Sequence, residues 1–411
     1  MLPGAESWSA VRGRVLLAAG DLRVVSVVGA GQLIAWGILF YATPTLLAAA
    51  SQETGAAQST GFAAFTCAML IAGFLAQRVG EWVDRRGARA AFIASSVVGA
   101  LALALPAAAP GVLTLFACAG LLGAAMALGL YETAFAAIVH LKGARARPYI
   151  IGVTLYGGLA SSVFWPLTVQ LLRHCSARRV FVIYAGGLLL LALLYRAMLP
   201  AADAPTSSRA AAAVEPAHVS LVSRHFAFVA FAFTAVAAVT SGIGANLPAL
   251  FSNYALDPWE RTLVPAMVGI TQTVARAGEL VVGARRSAVW WGALAIGGLS
   301  CAVVLLLLGF VSTPAAWLGG IVYGACGGLL STARASVIVA LFGSADAAAL
   351  FGALAARSNI PRALAPWLFA SISEAGGTGV ALTSFGVLAV VAACLYFMGV
   401  RLAAGSTTVT T

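Results

Sequence analysis

The chain has 411 residues, of which 61% are hydrophobic and only 9% charged, with a mean hydropathy of +0.97. A soluble fold of this length could not hide that much apolar surface from water, so composition excludes a soluble enzyme and points to an integral membrane protein. The formal charge of +11 does not point to nucleic acid, because the arginines are dispersed over short loops rather than gathered on one face among aromatics.

In chain order, residues 1–21 carry Arg12 and Arg14 beside too short an apolar stretch for a signal peptide, and are expected to be a tail. Continuous rather than alternating apolar runs then predict helices, not barrel strands. Six runs fall in 22–199: Leu22–Ala50, Thr60–Gln77, Ala90–Leu105, Gly111–Val139, Tyr149–Leu172 and Val180–Tyr195. Residues 200–224, rich in Ala, Ser and Pro, have linker composition. Six more runs fall in 225–403: Phe226–Phe251, Leu263–Val282, Ala288–Phe310, Ala315–Leu341, Ala347–Ser373 and Gly379–Leu402; residues 404–411 form a second tail. The expected fold class is an all-α membrane protein of twelve transmembrane helices in two pseudo-symmetric six-helix bundles.

Most basic residues fall in loops on one side, which the positive-inside tendency places in the cytoplasm with both termini and the linker. A bacterial inner membrane is the expected location. The other side has only Arg173, Arg178, Arg179 and Arg261. The cluster of the first three runs against this tendency and has no explanation in the sequence. The six cysteines lie mostly within apolar runs, with neither disulfide nor metal-ligand spacing, and no cofactor is expected.

Between the second and third runs stands Gly80-Glu81-Trp82-Val83-Asp84-Arg85-Arg86-Gly87-Ala88-Arg89. Its Gly-x-x-x-Asp-Arg-x-Gly-x-Arg pattern resembles the signature loop of major facilitator superfamily transporters. The resemblance implies two parallel six-helix repeats working by alternating access. It also implies a latch made of Gly80, Asp84, Arg85, Gly87 and Arg89, with Asp84 held at the start of the eleventh helix, where Ser344 and Asp346 look like a helix cap. Gly80 and Gly87 are suited to close approach and a tight turn. A fainter copy, Gly278-Glu279-Leu280-Val281 with Arg285-Arg286, follows the eighth run without the aspartate.

Charges inside apolar runs are costly and mark functional candidates. Glu132 in the fourth run and Arg334 in the tenth lie at similar depths in repeat-equivalent helices, so they are read as a gate pair across the halves, as a proton-coupling site, or as fixed structural charges. Gln272 and Arg276 lie one turn apart in the eighth run, a stretch that weakly resembles the monocarboxylate-porter branch, where the arginine receives a substrate carboxylate. The alternative pairs Arg276 with Glu279. Arg362 lies roughly 18 Å of helix from Glu374, between Pro361 and Pro366, and is expected to face a wet cavity or a carboxylate. Gln32, Trp36, Asn246 and Trp165 are further candidates for a pocket lining, as well as ordinary packing residues.

The predicted function is secondary transport of a small organic anion, such as a monocarboxylate, with a coupling proton. The expected partners are that substrate and the lipid bilayer, and a monomer is expected. The alternative is proton-driven efflux of drugs or metabolites. A non-transporting sensor fits less well, and no Ser/His/Asp or metal cluster supports an intramembrane enzyme.

Overall fold

The computed structural model describes residues 19–131, 133–135, 138, 146–199, 224–282, 286–342 and 347–407. The first half comprises α1 (Ala19–Ala35), a π-helical stretch (Trp36–Ala42), α2 (Thr43–Glu53), α3 (Gln58–Arg86), α4 (Ala88–Ala108), α5 (Val112–Gly129), α6 (Ala146–Gly158), α7 (Ala160–His174) and α8 (Ala177–Met198). The second half comprises α9 (Arg224–Ser252), α10 (Glu260–Val282), α11 (Ala288–Leu308), α12 (Thr313–Phe342), α13 (Ala347–Gly376) and α14 (Thr378–Thr407). All described elements are helical, as expected in lipid, where each backbone amide must find a partner within its own segment.

Among the described residues, ten helices are long and apolar enough to cross a membrane. The eighth and eleventh predicted spans, α10 and α13, are also long helices but fall outside these ten, because they carry Gln272, Arg276 and Glu279 and Arg357, Asn359 and Arg362 respectively. Elsewhere the outer surface is apolar: Leu189, Leu190 and Leu193 of α8 and Val387, Val390 and Phe397 of α14 are exposed. Water would not tolerate so broad an apolar belt, whereas lipid requires one.

Each half has its own apolar core, and the two are stitched by exchanged residues. Ala363 of α13 is buried in the first half's core, and Trp165 of α7 in the second's. The main packing between halves is α3 on α13 and α7 on α10.

The predicted loop after α3 is almost entirely helix. α3 continues through Arg86, α4 starts at Ala88, and Gly87 alone makes the turn at φ +81°, a left-handed conformation that favours glycine. The Gly87 amide donates to the Val83 carbonyl at 2.8 Å, Arg85 pairs with Glu81 at 3.9 Å, and Arg89 donates to the Arg196 carbonyl at the end of α8 at 2.6 Å. At Gly80 the expected close approach does not occur in this conformation: a methyl group added there would meet nothing within 4 Å. The side chain of Asp84, and Ser344 and Asp346, lie outside the described residues.

The halves are joined on the face opposite the α8–α9 connection by polar and apolar contacts. Glu374, near the end of α13, accepts a hydrogen bond at 2.6 Å from the Ser59 amide in the first turn of α3. Arg173 reaches the Pro258 carbonyl at 3.4 Å, and Ala48, Phe62 and Ala370 make an apolar plug between the halves. Glu374 thus sits on the positive end of the α3 dipole and supplies a partner for an amide that has none within its helix.

Replacing Glu374 with Ala is expected to loosen this closure by about 1 kcal/mol, roughly a fivefold shift toward states open on that face. Distance distributions between spin labels at Ala57 and Val380 should then gain a longer population; unchanged distributions would remove Glu374 from the closure.

Candidate functional site

Three irregularities in the first half surround one region between the halves. The π-helical stretch at Trp36–Ala42 interrupts the first span, with the Thr43 hydroxyl donating to the Ile38 carbonyl at 2.6 Å. The fourth span breaks after Gly129, where Leu130 turns extended at ψ −164°. The fifth breaks at Leu159, between α6 and α7. Such breaks survive inside a membrane only where other groups take over the freed backbone atoms. Gln32, fully buried in α1, does so by donating from Nε2 to the Gly129 carbonyl at 2.7 Å.

These breaks arrange an aromatic cluster. Ring centroids of Trp36 and Tyr131 are 4.8 Å apart, Trp36 and Tyr41 6.3 Å, and Tyr41 and Trp165 5.3 Å. Residues five apart on an α-helix point about 140° away from each other. The i→i+5 bonding of a π turn reduces that divergence and brings Trp36 and Tyr41 together. Gly157 makes room for Tyr131, since a methyl group there would fall 2.1 Å from its hydroxyl.

The second half brings cations to this cluster. Arg276 of α10 sits beside Tyr131 and Tyr41, at the Gly158 break, and directs Nε to the Gly328 carbonyl at 3.4 Å. Its charge and that of Arg362 both act on Tyr41, and Arg334 lies within electrostatic range of Arg362. The expected alternative, an Arg276–Glu279 pair, does not form: the Glu279 carboxylate accepts a hydrogen bond from Thr332, and Arg276 turns toward the aromatics. The backbone of α13 next to Arg362 is held from both sides. Thr66 of α3 donates to the Ala363 carbonyl at 2.8 Å, and Asn246 of α9 donates to the Pro366 carbonyl at 3.1 Å.

A cavity of about 200 Å³ runs from Trp36, Phe40 and Arg362 along α3 to Gly80 and Val83, toward the face of the α8–α9 connection. Met69, Met126 and Leu130 make its walls apolar, and Asn359 and Thr133 add polar groups. Trp36 Nε1, Gln32 Oε1 and the Ser161 and Ser162 hydroxyls are buried around this region without a hydrogen-bond partner. Buried polar atoms left unpaired are exceptional in native proteins and need a reason such as a ligand.

The sequence candidates therefore separate. Trp36, Trp165, Arg276 and Arg362 gather around Tyr41, and Arg334 lies within electrostatic range of Arg362. Gln32 and Asn246 hold the backbone around them, and Gln272 lies in the α10–α12 packing, where a methyl group at Gly328 would come 2.4 Å from its carbonyl. Glu132 lies outside the described residues. Tyr41, Tyr131, Thr66 and Asn359 escaped sequence reasoning; a tyrosine inside an apolar run, beside a tryptophan, was the available signal.

The family model described as Major Facilitator Superfamily matches residues 25–366. No curated protein matches the chain. Among solved structures, a point mutant of the nucleoside transporter NupG superposes with a TM-score of 0.72 at 15% identity, covering 93% of this chain and 99% of that one. NupG itself gives 0.69 at 15% identity over the same shares. The human organic anion transporter MFSD10 (TETRAN) gives 0.62 at 18%, covering 92% of this chain and 100% of that one.

Replacing Gln32 with Leu should leave the Gly129 carbonyl unpaired inside the bundle, at a cost of about 1–3 kcal/mol. A thermal scan in detergent is expected to show a melting temperature lower by several degrees; an unchanged value would mean the break is held by other groups.

Proposed function

The chain belongs to the major facilitator superfamily, and on that premise we propose that this multi-pass membrane transporter moves a small organic anion with protons by alternating access. One observation carries the reading: Arg276 and Arg362, from two helices of the second half, both lie within electrostatic range of Tyr41 of the first, and Arg362 lines a largely apolar cavity. A guanidinium so placed costs about 3 kcal/mol or more to insert, and a bound carboxylate offsets this with charge-assisted hydrogen bonds. The Trp36 indole N–H is a further donor for it, and Trp36, Phe40, Tyr41 and Trp165 offer flat apolar surface for the substrate's body. Closure on one face together with a cavity reaching the other supports the reading of one end of a transport cycle, with the termini taken as cytoplasmic. In the remainder of the cycle, Asp84 engages the start of α13 near Ser344 and Asp346, and Glu132 and Arg334 serve as gate or proton-coupling groups.

The methionine and aromatic walls also favour a second reading, proton-driven export of bulkier apolar compounds, in which Glu132 exchanges protons for cargo. Radiolabelled acids offered to proteoliposomes under an imposed pH gradient distinguish the two. Anion flux that is electrically silent and falls at least tenfold in both Arg276→Gln and Arg362→Gln, with elution and melting unchanged, supports the first. Full flux in both variants overturns it, and cation export lost in Glu132→Gln establishes the second.

For the latch, Asp84→Asn is expected to lower the maximal transport rate severalfold while substrate affinity stays within about twofold. Equilibrium binding beside transport kinetics reads this directly, and a pure loss of affinity would count against the assignment.

A further inference from the structure

We propose that the corner between α7 and α8, on the face opposite the α8–α9 connection, binds one anionic phospholipid, its phosphate between Arg178 and Arg179 and an acyl chain along α8. The two arginines stand in the first turn of α8, exposed, and no described residue pairs with either guanidinium. Both positions are electrostatically unfavourable. The N-terminus of a helix carries the positive end of its dipole, and this face bears few other basic residues. The carboxylate of Glu53 accepts the Ala177 amide at 2.8 Å and forms no ion pair with either guanidinium, so its single negative charge answers the helix dipole and leaves the two arginine charges in excess. Arg173, the third member of the cluster, is engaged with the Pro258 carbonyl. Two adjacent cations with one nearby carboxylate and no ion pair among the described residues leave net positive charge, which calls for an anion from outside the chain.

The surface beneath them says which anion. Cys175, Ser176, Arg178, Arg179, Val182 and Ile183 line a groove open to the outside. Val182 and Ile183 are 59% and 46% exposed, and Leu189, Leu190 and Leu193 continue the exposed surface. At 100° per residue all of these share one face of α8 with Arg178 and Arg179. Gly186 falls on the same stripe, where a methyl group would meet nothing within 4 Å, so it leaves a shallow notch. From Val182 to Leu193 the stripe runs roughly 17 Å, about the hydrocarbon depth of one leaflet. A soluble anion would use only the arginines. A phospholipid uses the arginines and the stripe together, and basic pockets at membrane interfaces select anionic headgroups.

The test uses the full-length protein, delipidated in a neutral detergent and then offered phosphatidylglycerol or phosphatidylcholine, with bound lipid counted by native mass spectrometry. Phosphatidylglycerol should be retained on the order of tenfold better by the wild type. Arg178→Gln/Arg179→Gln should abolish that preference, and Arg178→Lys/Arg179→Lys should keep part of it. Should the glutamine variant not fold, wild-type retention measured against rising salt replaces it and must fall. Equal retention of the two lipids, an unaltered preference in the glutamine variant, or salt-independent retention overturns the proposal. Displacement of the lipid by millimolar inorganic phosphate would also overturn it, by making this a soluble-anion site.

Discussion

The structure depends on one constraint: a charge or an unpaired amide must not meet lipid. Arg276, Arg334 and Arg362 lie in the polar stretches of α10, α12 and α13, and those stretches turn inward because the alternative costs several kcal/mol apiece. The same constraint explains why α10 and α13 are less apolar than their neighbours. A helix that packs between two bundles, as α10 does, or lines a cavity there, as α13 does, needs only part of its circumference to be apolar.

Irregular backbone follows the same logic. The π-helical stretch and the break after Gly129 would be intolerable against hydrocarbon, yet both face the interior, where Gln32 and Thr43 take up backbone carbonyls; at the third break Gly157, Gly158 and Ala160 are buried while Leu159 is exposed. The breaks aim Trp36, Tyr41 and Tyr131 at a common point. The cations come from one bundle and most of the aromatics from the other, so the site exists only where the halves meet, and a movement of one half against the other must alter it. Closure opposite the α8–α9 connection uses polar and apolar contacts together, with Glu374 on the Ser59 amide and the plug at Ala48, Phe62 and Ala370.

Much of the architecture was legible because it rests on local properties. Apolar run length marks the spans. The glycine at position 87 marks a turn that only a residue free to adopt positive φ makes without strain. The rest of that motif reads as a loop by its charge density, yet folds as the last turns of α3 and the first of α4, since Glu81, Trp82 and the arginines are compatible with helix and charge alone does not end one. Arg276 and Arg362 were legible as anomalies of depth. Their convergence was not, because α10 and α13 are far apart in the chain.

Hydropathy and turn chemistry, properties of short stretches, therefore determined on their own the membrane class, the helical character of the spans and the identity of the intramembrane charges. Tertiary structure alone decided which of those charges meet, that Gln32 and Asn246 support backbone in place of lining the cavity, and that Tyr41 and Tyr131 complete the site. The physical reason is geometric. A π turn changes the direction of every side chain beyond it, a helix break does the same, and the relative placement of two bundles depends on contacts between residues hundreds of positions apart.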